Sequence, residues 1–154
     1  MRSPALNVLL FAGLTVGMAT TAAESPAQET AGEGAVPAEL VGTEWRLVEI
    51  DGRAPDSDLP PVTLSFALAR AEGSGGCNWY TGWLEQGAAG RFVVSHLAVT
   101  RRDCAHPRIM DREEGYLAAL EEVSSYRLID GELALTSRTT EGGTRLVFRP
   151  SGGS

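Results

Sequence analysis

From about residue 40 onward, apolar and polar residues mostly alternate one by one, and a period of two admits β-strands and little else. The stretch "VTLSFALA", 62–69, sets Val62, Leu64, Phe66 and Leu68 on one side and Thr63 and Ser65 on the other. "TEWRLVEI", 43–50, runs straight into Asp51-Gly52. "YRLI", 126–129, is joined to "ELALTS", 132–137, by Asp130-Gly131. Asp-Gly supplies the two positive φ angles that a tight hairpin turn requires. In "CNWYTGWLEQ", 77–86, Cys77, Trp79, Thr81 and Trp83 fall on one side and Tyr80 and Leu84 on the other. "RFVVSHLAVT", 91–100, follows the small-residue turn "GAAG" and is apolar on both faces in places, which predicts a central strand. "TRLVFRP", 144–150, follows "TTEGG" and alternates again, with Leu146 and Phe148 inward.

One segment breaks the period. "HPRIMDREEGYLAALEEV", 106–123, has Pro107 where a helix would take its first residue. Met110, Leu117 and Leu120 then fall along one stripe, with Tyr116 and Val123 at its margin. The chain therefore predicts strand hairpins, one helix, then more strands. Without alternating strand–helix units the sheet is expected to be antiparallel, giving an α+β fold: one domain, a curved antiparallel sheet forming a partial barrel, packed with one helix.

The ends carry a different signal. Arg2 precedes an uncharged apolar run, Ala5 to Met18, and small residues Thr21, Ala22 and Ala23 follow. The run is short of the roughly 20 residues a bilayer span needs, so residues 1–23 read as a cleaved signal peptide. With no Cys near that boundary, lipid attachment lacks an acceptor thiol. Residues 24–38, rich in Glu, Pro, Ala and Gly, form a linker, the domain occupies 39–150, and 151–154 are a short tail. The expected location is periplasmic or secreted, with no membrane span once the signal is removed. The formal net charge is −7 and every basic residue is Arg. An acidic chain without a basic run argues against nucleic acid, whose binding depends on neutralising phosphates.

Chemistry-bearing residues are few. Two cysteines, Cys77 and Cys104, in an exported chain most simply form one disulfide, with a loop-closure stabilisation of about 3.5 kcal/mol. Two alternatives stand beside it: Cys104 as a thiol nucleophile with His106 as its base, and zinc held by Cys77, Cys104, His106 and His96. The zinc reading lacks close-paired ligands of the CxxC kind. Asp51, Asp56 and Asp58 resemble half of a calcium loop, yet lack its glycine and distal Glu. The acids of "DREE", 111–114, and Glu121-Glu122 are expected on the solvent side of the helix. No GxSxG motif and no carboxylate pair in an apolar setting is present. The expectation is a non-enzymatic chain with no metal and no cofactor. The aromatics Trp45, Trp79, Trp83, Phe66, Phe92, Tyr116, Tyr126 and Phe148 suffice for a small core, while Trp79 and Trp83 on one strand face could instead line a binding surface.

Four runs together resemble a known family. "GTEWRLVEIDG", "GSGGCNWYTGW", "LAVTRRDCAHPRIMDREEGYLAALEEVSSYRL" and the closing "DGELALTS…TRLVFRP" are similar to the META domain, also called the HslJ-like domain, over roughly residues 40–149. The specific elements are Gly76, Cys77 and Asn78 followed by Tyr80 and Gly82, then Thr100 and Cys104, supported by Met110, Glu114, Tyr116 and Leu120. Arg102 departs from the apolar residue common before the second Cys. The resemblance implies a compact α+β fold with a curved antiparallel sheet and one helix, in exported or envelope proteins of bacteria, some linked to heat or antibiotic stress. A noted likeness to pilot proteins of secretion systems implies binding of protein or lipid. The family offers no catalytic residues to carry over. The resulting expectation is a monomer that binds an envelope protein or lipid through the surface at Trp79 and Trp83.

Overall fold

Each of the two Asp-Gly pairs makes its turn. Asp51 and Gly52 take φ of 49° and 79°, and Asp130 and Gly131 take 51° and 80°, the paired left-handed angles of a type I′ turn. The structure, a computed structural model, describes Val36 and residues 38–86, 90–137 and 142–152. The expected signal peptide, 1–23, nearly all of the expected linker, 24–38, and the last two residues of the expected tail lie outside the described residues.

Five strands come first: β1 (Glu44–Ile50), β2 (Thr63–Ala67), β3 (Arg70–Ser74), β4 (Trp79–Gln86) and β5 (Phe92–Val99). Helix α1 (Pro107–Glu121) follows, then β6 (Val123–Ile129), β7 (Glu132–Ser137) and β8 (Arg145–Pro150). All pairings are antiparallel, in the order β5-β4-β3-β2-β1-β8-β7-β6. Two meanders are thus joined where β8 pairs with β1. The sheet curls until its terminal strands touch at one end, where Arg91 bridges Ser125 and the Tyr126 N–H donates to the Gly90 carbonyl at 3.2 Å. The result is a half-barrel with α1 at the open side, the α+β class that the strand–helix order predicts.

Three local expectations are corrected. The alternation through 62–69 does not continue to its end: the chain reverses at Leu68, whose φ is 55° and whose side chain is 86% exposed. Beyond this reversal lies β3, which the sequence does not announce because Glu72 and Gly73 are poor strand formers. It is a strand because β2 and β4 pair with it on both sides, as in Ser65↔Glu72 and Gly73↔Tyr80. Secondly, β5 is a terminal strand rather than a central one. Thirdly, the buried face of α1 is rotated from the expected stripe. Glu113, Tyr116, Ala119 and Leu120 are buried, whereas Met110 and Leu117 are half-buried at the side, and Val123 already belongs to β6. Pro107 does open the helix, after His106 at the N-cap.

The concave side is filled. Phe92, Leu133, Leu135, Leu146, Phe148 and Leu120 are fully buried. Phe66 meets Phe92 edge-on at 5.7 Å between ring centres, and Tyr116 packs on Phe148 at 6.4 Å. A polar thread crosses this core. The Tyr80 hydroxyl donates to the Thr63 carbonyl at 2.8 Å, which leaves Tyr116 to donate to Tyr80 at 2.6 Å. Burial disfavours both phenolates and raises Tyr80 and Tyr116 well above the ordinary tyrosine range.

Two outcomes are expected from this thread. Tyr80→Phe strands both the Tyr116 hydroxyl and the Thr63 carbonyl and costs about 2–4 kcal/mol, against about 1 kcal/mol for Tyr116→Phe, measurable by urea unfolding. The pH dependence arises from phenols raised in the folded state, which keeps protons that the unfolded chain releases. Stability is therefore fully present below about pH 10 and falls above it, by up to about 1.4 kcal/mol per pH unit for each buried phenol. Alkaline unfolding of Tyr116→Phe should show a shallower decline than wild type; equal slopes would count against a buried, titrating Tyr116.

Candidate functional site

The glycine-rich stretch 73–83 is where the helix fastens to the sheet. Between β3 and β4 the chain turns over Gly75–Asn78, and the Gly75 N–H donates to the Asn78 carbonyl at 2.9 Å. A side chain on Gly75 would lie 2.6 Å from Glu113 Cγ. Gly76 has φ of 116°, a backbone that L residues rarely adopt, and a Cβ there would collide with the Arg112 guanidinium. The glycines make room for two side chains of α1.

Glu113 is the first of them. It is 3% exposed, and its Oε2 accepts the backbone N–H of Cys77 at 2.9 Å and of Asn78 at 2.6 Å. Its Oε1 accepts the Asn78 side-chain amide at 2.6 Å. A buried carboxylate is tolerated where charge-assisted donors converge on it in this way. Asn78 hands the connection on. Its Oδ1 accepts the Arg102 N–H at 2.6 Å and the Thr100 hydroxyl at 3.0 Å. The Thr100 Oγ1 in turn accepts the Trp79 N–H at 3.1 Å. Cys77 and Cys104 are disulfide-bonded 27 residues apart, tying the same two segments covalently. Arg112, part-buried and held below the ordinary arginine range by that burial, donates to the Pro60 carbonyl.

These contacts correct several expectations. By residue type Glu113 belongs among the outward acids of "DREE"; it points inward, while Asp111 and Glu114 are exposed. Its signal is present in the chain, since Glu113, Tyr116 and Leu120 stand at i, i+3 and i+7, the spacing of one helical face. The thiol-nucleophile alternative is overturned because the Cys104 sulfur is bonded to Cys77, which leaves His106 no thiol to activate. The same bond removes both sulfurs from any zinc site with His96 and His106. Asp56 and Asp58 are instead engaged by Arg108, at 2.6 and 3.3 Å, an exposed pairing that holds Asp56 below the ordinary carboxylate range. Among the described residues no group of three potential ligands is placed to hold a metal.

The remaining motif positions divide between core and surface. Tyr80 belongs to the polar thread. Gly82 admits the bulged neighbour strand: β5 takes an extra residue opposite it, His96 adopts φ of 52°, and a Cβ on Gly82 would lie 2.7 Å from Val94 and 2.9 Å from Leu97. Trp45 is buried as expected of a core indole, but Trp79 and Trp83 are 60% and 50% exposed on the outer face of β4. The Arg70 guanidinium lies over the Trp83 ring at 4.4 Å. Beside Trp79 a shallow depression of about 670 Å³ runs across the outer face, where Glu44, Ser65, Glu72, Thr81 and Ala98 stand in register on five adjacent strands.

The META domain model matches residues 38–152. The chain belongs to the META domain family. A solution structure of a protein from Burkholderia xenovorans is similar, at 26% identity and a TM-score of 0.58, over 83% of this chain and 97% of that one. A second solution structure matches at 24% identity and a TM-score of 0.57, over 72% and 91%. A crystal structure of a DUF4847 family protein from Bacteroides vulgatus shares the fold at 13% identity and a TM-score of 0.50, over 75% and 96%. No curated protein matches the chain. In this META domain the signature around Gly76, Cys77, Asn78, Thr100 and Cys104 is a fastening. Its carboxylate acceptors are already engaged and its sulfurs already bonded, so the arrangement orders the chain.

Two measurements check this. Glu113→Gln places an amide donor against donors and should cost about 2–4 kcal/mol, while Glu114→Gln should change stability by less than about 0.5 kcal/mol. Thiol titration of the native protein should find no free thiol, and replacing both Cys by Ser should cost about 3.5 kcal/mol.

Proposed function

We propose that this META domain chain is an exported, non-enzymatic binding module of the bacterial envelope that helps maintain the envelope under stress. It would dock a protein on the outer face of β4. The observation that carries this reading is the pair Trp79 and Trp83, 60% and 50% exposed on the outward side of one strand, with Thr81 between them. Indoles so placed are costly to leave in water and are the residues most often used as anchors in protein contacts. The filled concave side favours a protein on the outside over a lipid chain within, since Phe66, Phe92, Tyr116 and Phe148 occupy that space. Export is supported by the apolar run Ala5–Met18 and by a disulfide, which persists in oxidising compartments. The stress role rests on the family resemblance. No helix among the described residues is long and apolar enough to cross a membrane.

The test is Trp79→Ala with Trp83→Ala in the mature chain. Because both side chains are largely exposed, the double variant should keep its unfolding midpoint within a few degrees of wild type. Tagged wild-type protein should retain partners from the envelope fraction that the double variant loses. Identical partner sets from the two proteins would remove this face as the docking surface.

A further inference from the structure

The outer face of the sheet treats its two indoles unequally. Trp83 is paired across β3 and β4 with Arg70, whose guanidinium lies over the indole ring at 4.4 Å. A cation from the chain itself therefore covers part of that ring. Trp79 is paired with Ser74 on one side, and on the other Thr100 donates its N–H to the Trp79 carbonyl at 2.9 Å. Both neighbours are too short to reach across an indole, and their hydroxyls are engaged elsewhere. The Ser74 Oγ accepts the Gly76 N–H, and the Thr100 hydroxyl donates to Asn78. Trp79 is left 60% exposed, and among the described residues no cation lies over it.

The charge beside Trp79 is of one sign. Glu72 stands diagonally across from it on β3, and Ser65 on β2 sets Glu44 of β1 in the same row as Glu72. Two strand spacings separate the backbones that carry these carboxylates, about 10 Å. Glu44 and Glu72 are the charged walls of the depression of about 670 Å³, whose other walls include Trp79, Thr81 and Thr100 and no basic residue. Arg46 and Arg70 stand on the same face outside those walls, Arg46 opposite Arg149 and Arg70 over Trp83. Neither Glu44 nor Glu72 takes part in an ion pair among the described residues. Both are exposed, so the core needs neither carboxylate for its own packing.

On the reading of this face as the docking surface, we infer that the docked protein contributes an arginine side chain to the depression, laid against the Trp79 ring and held by Glu72 and Glu44. Arg70 on Trp83 is the same contact made within the chain, and the partner's side chain repeats it two outward positions away along β4. The face of an indole attracts a cation, and carboxylates add charge-assisted hydrogen bonds. A planar guanidinium serves both at once, stacking on the ring while its edge donates, which a lysine ammonium does not. A chain of net charge −7 also draws a basic partner toward it before contact. The two carboxylates thereby select among proteins, where two indoles alone would accept many apolar surfaces.

The experiment is selection of a random nine-residue peptide library on the mature protein, with binding of the selected peptides measured by fluorescence anisotropy. Peptides whose binding is lost on Trp79→Ala with Trp83→Ala report on this face, and they are expected to carry Arg. Replacing that Arg by citrulline, which keeps the shape and removes the charge, should weaken binding at least tenfold. Glu44→Gln with Glu72→Gln in the protein should do the same, and because both side chains are exposed the double variant should keep the wild-type unfolding midpoint. The citrulline peptide should bind the wild-type and double-variant proteins equally. Trp-dependent peptides that bind the Glu44→Gln, Glu72→Gln protein as well as wild type, or that carry no basic residue, overturn the basic contact and leave the docking surface standing. Selected peptides that are indifferent to the two Trp, or no enriched peptide at all, overturn both. A dimer in sedimentation that Glu44→Gln with Glu72→Gln dissociates also overturns the proposal, since the face then joins two copies of this chain.

Discussion

The Glu113 carboxylate is the interaction on which the rest of this domain depends. One side chain of α1 satisfies two backbone amides and an amide side chain at the β3–β4 turn. Through Asn78 the same network reaches Thr100 and Arg102, the segment that carries the chain from β5 to the helix. Helix, turn and connecting segment are thereby ordered together. A charge buried to this degree is a heavy desolvation cost if any donor is missing, so the surroundings are constrained as a set: glycine at 75 for space, glycine at 76 for its backbone angle, Asn at 78 for its two-sided amide. The disulfide acts on the same junction by a different route, restricting the unfolded chain.

That junction explains why the most distinctive part of the sequence is not reactive. Glycines beside a cysteine suggest an exposed loop, and here they admit neighbouring side chains instead. The indoles of the same stretch part company with it. Strand parity sends Tyr80 and Leu84 to the core, so Trp79 and Trp83 must face outward. A single eight-residue strand therefore serves both the fastening and the exposed surface.

Much of this was legible in the chain. The hairpin at Asp130-Gly131, the helix opening at Pro107, the pairing of two cysteines and the α+β class all derive from local chemistry, in which a residue type dictates a backbone angle, a period or a bond. The errors share one cause. Leu68 continues a pattern of alternation that the backbone ends one residue earlier. Strand β3 has no propensity of its own and exists because two neighbours pair with it. Glu113 reads as solvent-facing by residue type, and only the donors converging on it from 36 and 35 residues away make its burial favourable.

The sequence by itself determined the helix, every strand but β3, the two Asp-Gly turns and the antiparallel class, because each rests on short-range sterics and periodicity that need no partner. Tertiary structure alone decided which strand ends the sheet, which face of α1 enters the core, and that one carboxylate would be taken inside while its neighbour stays in water. Those outcomes depend on what stands opposite a residue in space, and a chain does not carry that information locally.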